Sequence, residues 1–271
     1  LNQAAFATQI DQIVMFGDSL SDNGNIFSLT SKAHAVIPAI PVIPNPDAYY
    51  QGRFSNGLVW IDHLASSMNV PLANYAYGGA WAEPLKDSRL NVPFSIGMQV
   101  SYYLVAAATD FNKGDHLFII WAGGNDYVKG RDDADYATTN TVNSIATQID
   151  WLVFAGAKNI MVVNLPDLSV VPEVTSEGQE RIQEVQKMVR MHNRKLKAMM
   201  KDEQANYPEL KIMLGDITTY FDDTYFHHDK YKIKNVTTGC YTGGYTLKAA
   251  VDNRELTALK DQKIDVMSSP S

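Results

Sequence analysis

The chain has 271 residues, 45% hydrophobic and 20% charged, which is an ordinary globular composition and long enough for one large α/β domain with a substantial core. Its formal net charge of -7 provides no overall attraction to nucleic acid or to an anionic membrane surface, both of which are held mainly by Lys and Arg. No stretch approaches the roughly eighteen uninterrupted apolar residues of a membrane-spanning helix, so any lipid contact is expected to be peripheral and mostly apolar.

The first residues carry no charged segment followed by an apolar core, so an export signal is either already removed or was never there. Short apolar runs at 12–16, 72–75, 117–121, 159–163 and 211–214 predict five strands. LFIIW and NIMVV, in the third and fourth, lack interior polar residues, and the second run is the weakest. Apolar spacing predicts helices over 57–68, 96–108, 139–154 and 176–206. In the last of these, Ile182, Val185, Val189, Leu196 and Met199 recur at helical steps, while Glu, Lys and Arg fill the other side. Strands alternating with helices describe a mostly parallel sheet with crossover helices on both faces. The run VIPAIPVIPNP at 36–46 is too rich in proline for helix or central strand and is predicted to be a loop, packed on the core or gripping lipid. Trp60 and Trp81 admit the same two roles.

The first strand runs into Phe16-Gly17-Asp18-Ser19-Leu20-Ser21-Asp22-Asn23-Gly24-Asn25, which sets a serine just past the carboxyl end of a parallel strand, where α/β sheets build their sites. Asp-Ser in that position is also ordinary turn chemistry. The polar residues after Ser19 predict a helix start whose N–H groups would favour developing negative charge. Two more glycine turns follow strands, at Tyr77-Gly78-Gly79 and at Gly123-Gly124-Asn125, and neither fits a nucleotide-binding pattern.

FGDSLSDNGN, NYAYGGA and AGGND together resemble the first three sequence blocks of the GDSL/SGNH hydrolases, with YYQGRFSNGLVWIDHLA and NLPDL resembling the segments between and after them. Within that family the pattern is similar to secreted bacterial phospholipases, lysophospholipases and glycerophospholipid:cholesterol acyltransferases. The resemblance implies a flavodoxin-like three-layer sandwich with a central, mostly parallel five-stranded sheet. It implies Ser19 as nucleophile, and the Ser19 N–H, the Gly79 N–H and the Asn125 amide as donors to an oxyanion, with Gly78 the lesser choice. It also implies a fatty-acyl ester of a phospholipid or lysophospholipid as substrate, an exported protein, and no cofactor or metal. Short-chain or carbohydrate esters, and a relative that binds without cutting, are the alternatives.

The family pattern further calls for a late Asp-x-x-His, which is not found after the third block. His227 in DDTYFHHD has the wrong spacing, and His34, His63, His116 and His192 sit in unremarkable contexts. Residues 1–271 therefore read as a single domain lacking the segment with that motif. Cys240, the single cysteine, cannot form a bridge within the chain. The resemblance implies a disulfide from Cys240 to a fragment lying past Ser271 that brings the missing Asp and His.

Overall fold

The computed structural model describes residues 10–83, 95–130, 133–239 and 241, so Cys240 and the stretch ending at Ser271 lie outside the described residues. Five strands form one sheet: β1 (Gln12–Gly17), β2 (Leu72–Asn74), β3 (His116–Trp121), β4 (Asn159–Val163) and β5 (Lys211–Gly215). Their order is β2-β1-β3-β4-β5 and every pairing is parallel, so the sheet is wholly rather than mostly parallel. The register sets Gly17 beside Trp121 and Met15 beside Asn74, which aligns the carboxyl ends of β2, β1 and β3.

All six residues of β3 are buried, as befits a central strand covered on both faces, whereas the edge strands β2 and β5 are half-buried throughout. Eight α-helices surround the sheet: α1 (Asn25–Val36), α2 (Trp60–Met68), α3 (Ile96–Ala106), α4 (Gly124–Val128), α5 (Ala134–Phe154), α6 (Pro172–Thr175), α7 (Gln179–Asn206) and α8 (Ile217–Phe226), counted among the described residues. On one face, Val14, Phe16, Phe118, Ile120 and Val162 meet Val100 and Tyr103 of α3, Ile145 and Ile149 of α5, and Leu196 of α7. On the other, Ile13, Met15, Ile119 and Trp121 meet Ile61 and Ala65 of α2. Among the described residues no helix is long and apolar enough to cross a membrane.

Helix starts differ from the sequence expectation wherever a side chain caps the backbone. α5 begins at Ala134, ahead of the expected 139, because the Asp133 carboxylate accepts from the N–H groups of Asp135 and Tyr136 at 2.9 and 3.2 Å. α2 begins at Trp60 rather than 57, where Asp62 reaches back to the Val59 N–H at 3.1 Å. The predicted helix over 176–206 is α7, which begins three residues later at Gln179 after Gly178 at φ +96, and the short α6 precedes it. After Val36, the last residue of α1, the segment to Pro46 is irregular as expected, and it packs on the core in part. Val36 and Ile37 are exposed, whereas Ile43 is buried.

Candidate active site

β1 ends on a peptide held from both sides. Gln99 of α3 accepts from the Gly17 N–H and donates to the Gly17 carbonyl, each at 2.8 Å, so one buried side chain acts like a strand partner. A Cβ on Gly17 would lie 2.6 Å from the Trp121 carbonyl oxygen, so only glycine lets β1 and β3 approach this closely. The next residues make a tight turn. The N–H groups of Ser21 and Asp22 both donate to the Asp18 carbonyl at 3.0 Å, and the Leu20 N–H donates to the Asp18 carboxylate at 3.0 Å. Ser19 sits half-buried in that turn, and its hydroxyl takes no hydrogen bond among the described residues.

The helix expected directly after Ser19 starts at Asn25 instead, and its first N–H groups do not face the serine. Asp22 takes them: its carboxylate accepts from Gly24, Asn25 and Ile26 at 2.8, 2.7 and 3.2 Å. The same carboxylate accepts from the Gly78 N–H at 2.8 Å. Gly79, one residue on, is exposed with φ +83, and its N–H has no partner among the described residues. Asn74 and Asn25 fasten this corner further. Asn74 Nδ2 donates to the Ser21 carbonyl at 2.7 Å, and Asn25 Nδ2 donates to the carbonyls of Asn74 and Ala76 at 2.9 and 2.8 Å.

After β3 the chain turns through Gly123, at φ +112, into α4, which carries half-buried Asn125. Asn125 Nδ2 donates to the Ala80 carbonyl at 2.8 Å, which orients the amide and leaves it one further N–H. Asp126 accepts from the N–H groups of Ala82 and Glu83 at 2.9 and 3.0 Å, so with the Asn125 bond the turns after β2 and β3 are joined three times. Burial pushes the carboxyls of Asp18 and Asp126 up to about 6, against the opposing pull of these backbone hydrogen bonds. Beneath Gly123 lies His192, fully buried, with Nδ1 2.8 Å from the Tyr127 hydroxyl. Burial pulls that imidazole down to about 3, so it is neutral and part of the packing under the turn.

Ser19, Gly79 and Asn125 thus follow three adjacent strands at one edge of the sheet, around the β1/β3 position where the strand order reverses. An apolar cavity of about 520 Å³ is lined by Leu20, the neighbour of Ser19, and by Leu58, Trp60, Trp121, Val163 and Ile217, among others; Ser19, Gly79 and Asn125 are not part of its lining. Trp60 stacks edge-on against Trp121 with centroids 5.6 Å apart, and its Nε1 donates to the Ser21 hydroxyl at 3.0 Å.

The histidines are elsewhere. His116 opens β3 at the opposite edge of the sheet, between Asp11 and Asp110 at 2.7 Å each, and His34 contacts the Ile40 carbonyl. His63 is exposed. His227 follows α8 and pairs with Asp223 at 2.9 Å, ten helical residues away from the end of β5. Among the described residues no histidine bonds to Ser19, and no three His, Cys, Asp or Glu side chains group as a metal site would. Asp22, Gln99, Asn74 and Asp126 escaped the sequence reading. Of these, Asp22, Asn74 and Asp126 lie within recognisable motifs, but the bonds that join the three turns run to residues more than forty positions away.

A family model described as GDSL-like Lipase/Acylhydrolase matches residues 13–261. Thermolabile hemolysin of Vibrio parahaemolyticus is 33% identical over 192 residues, covering 70% of this chain but only 42% of that protein. Phosphatidylcholine-sterol acyltransferase of Aeromonas hydrophila is 29% identical over 259 residues, covering 93% and 73%. Secreted effector protein SseJ of Salmonella typhimurium is 30% identical over 209 residues, covering 75% and 46%. With a family match over nearly all of its length and the family's motifs at the ends of β1, β2 and β3, the chain belongs to the GDSL-like lipase/acylhydrolase family.

Proposed function

We propose that this chain carries the nucleophile of a serine esterase that hydrolyses fatty-acyl esters of phospholipids and lysophospholipids. The observation that carries the reading is the unpartnered Ser19 hydroxyl one residue before Leu20, which lines a cavity of about 520 Å³ whose walls are mostly apolar. A long acyl chain loses contact with water in such a cavity, and Leu20, adjacent to the nucleophile, forms part of its wall.

In the proposed reaction, Ser19 Oγ attacks the ester carbonyl carbon as its proton passes to a general base. The carbonyl oxygen becomes an oxyanion that accepts from the Ser19 N–H, the Gly79 N–H and the remaining Asn125 N–H. Collapse expels the alcohol, which takes up the proton, and water then cleaves the acyl-enzyme to a fatty acid. A second hydroxyl in place of that water gives acyl transfer, which the name of the Aeromonas relative favours. Gly78 is an inferior donor because its N–H is committed to Asp22.

The base is inferred to be the histidine of an Asp-x-x-His segment on a part of the protein other than residues 1–271, held to it by a bridge from Cys240. Intact mass before and after reduction tests this. A loss of mass on reduction supports the bridge, and an unchanged mass removes it. Export from the cell belongs to the same reading, which the printed names of the relatives support.

The deciding experiment incubates the natural protein and a Ser19→Ala variant with a fluorophosphonate probe and with lysophosphatidylcholine. Labelling at Ser19 together with fatty-acid release is the expected result. Labelling without release favours a short-chain or carbohydrate ester, and the absence of both labelling and release favours a protein that binds without cutting.

A further inference from the structure

Between Val185 and Lys201, α7 contains six cations and no carboxylate, in a chain whose formal net charge is -7. Five of them, Lys187, Arg190, Arg194, Lys197 and Lys201, follow at steps of three, four, three and four, which holds them on one stripe of the helix about 21 Å long. All five are exposed, while Val185, Met188, Val189, Leu196 and Met199 are buried on the opposite side. Lys195 lies off the stripe and is bound to Asp135 at 2.7 Å. None of the five makes a hydrogen bond or ion pair among the described residues.

The described carboxylates nearest the stripe, Asp133 near Lys187 and Asp202 and Asp216 in its cleft, form no ion pair with any of the five. The stripe also adjoins the candidate active site. Arg190, Arg194, Lys197 and Lys201 line a cleft of about 720 Å³ that reaches Asp216, and Asp216 also lines the apolar cavity beside Leu20. That carboxylate is already engaged by Asn164 Nδ2 at 2.8 Å and the Thr219 hydroxyl at 3.0 Å.

We propose that this stripe of α7 docks the protein on a bilayer of anionic phospholipid, with the cavity beside Ser19 opening next to the lipid. Four to eight Lys and Arg on one face of an amphipathic helix match the charge of such a surface, and their attraction acts within about a Debye length. The choice of a bilayer over another polyanion rests on the lipid-ester reading above. The local charge overrides the expectation from net charge, because a surface at contact distance meets the stripe rather than the average of the molecule.

The test is co-sedimentation of the natural protein with vesicles of phosphatidylcholine alone or mixed with phosphatidylglycerol. It is run at low and high salt, alongside a triple variant Arg190→Gln, Arg194→Gln, Lys197→Gln. Binding to the mixed vesicles is expected to exceed binding to phosphatidylcholine, to fall with salt, and to drop by on the order of 100-fold in the variant, about fivefold per cation. Circular dichroism and probe labelling at Ser19 should match the parent, since all three positions are exposed. Equal binding to both vesicle types, undiminished binding by the variant, or binding to a DNA duplex but not to vesicles overturns the proposal. Vesicle binding without labelling at Ser19 overturns the esterase reading and supports the docking surface.

Discussion

The Gly78 N–H donates to the Asp22 carboxylate at 2.8 Å, so a residue three positions past the candidate nucleophile holds the turn that follows β2. The same carboxylate caps α1 through three further N–H groups. Removing it as Asp22→Ala would leave several partly buried donors unpaired and should destabilise the fold by about 3–5 kcal/mol in denaturant unfolding. Asp22→Asn keeps one acceptor oxygen and should cost less, about 1–2 kcal/mol. In both variants Gly79 is released from its position, so labelling of Ser19 should slow by on the order of 10²-fold even where the protein remains folded.

The Asn125 amide is oriented by the Ala80 carbonyl and has one N–H left for an oxyanion. Asn125→Ala is expected to lower turnover on lysophosphatidylcholine about 10²–10³-fold with little change in KM, the pattern of a contact made in the transition state. A rise in KM with kcat unchanged would assign Asn125 to substrate binding instead.

Gln99 satisfies both sides of the Gly17 peptide from α3. In Gln99→Leu the Gly17 carbonyl keeps the Tyr77 N–H at 3.1 Å, but the Gly17 N–H is left buried without a partner. A loss of about 1–3 kcal/mol is expected in the unfolding midpoint. Gln99→Glu should be milder at acid pH than at neutral pH, because the protonated acid can both donate and accept as the amide does.

Burial raises the Asp126 carboxyl to about 6, above its ordinary value of 3.8. A raised carboxyl binds its proton more readily in the folded state. Its contribution is therefore fully present below about 4 and lost as pH rises through about 6. Against Asp126→Asn, which does not titrate, the parent should gain on the order of 2–3 kcal/mol as pH falls from 7 to 4. Thermal unfolding of both proteins across that range measures it. A difference between them that does not vary with pH would mean that Asp126 is not held in a desolvated site.

Five strands were readable because each core strand is a short run of apolar residues, and the wholly buried LFII segment of β3 leaves no alternative to a covered parallel strand. The motifs around Ser19, Gly79 and Asn125 were readable too, since each is a local string of glycine and small polar residues following a strand. Helix ends were misjudged where the deciding contact was a single carboxylate such as Asp133 or Asp62. α4, α6 and α8 were missed because they are short or open on turn residues, and α1 begins at Asn25 rather than directly after Ser19.

What the sequence by itself determined is the family, the parallel α/β architecture and the three turns, because apolar period and glycine turns are local properties of the chain. Only the tertiary structure decided how those turns meet. The order β2-β1-β3 makes them neighbours, Asp22 commits Gly78 and leaves Gly79, Asn125 is oriented by Ala80, and α7 presents its cations as one exposed stripe. Each of these depends on groups far apart in the chain, whose pairing follows from strand register and helix packing rather than from any local run of residues.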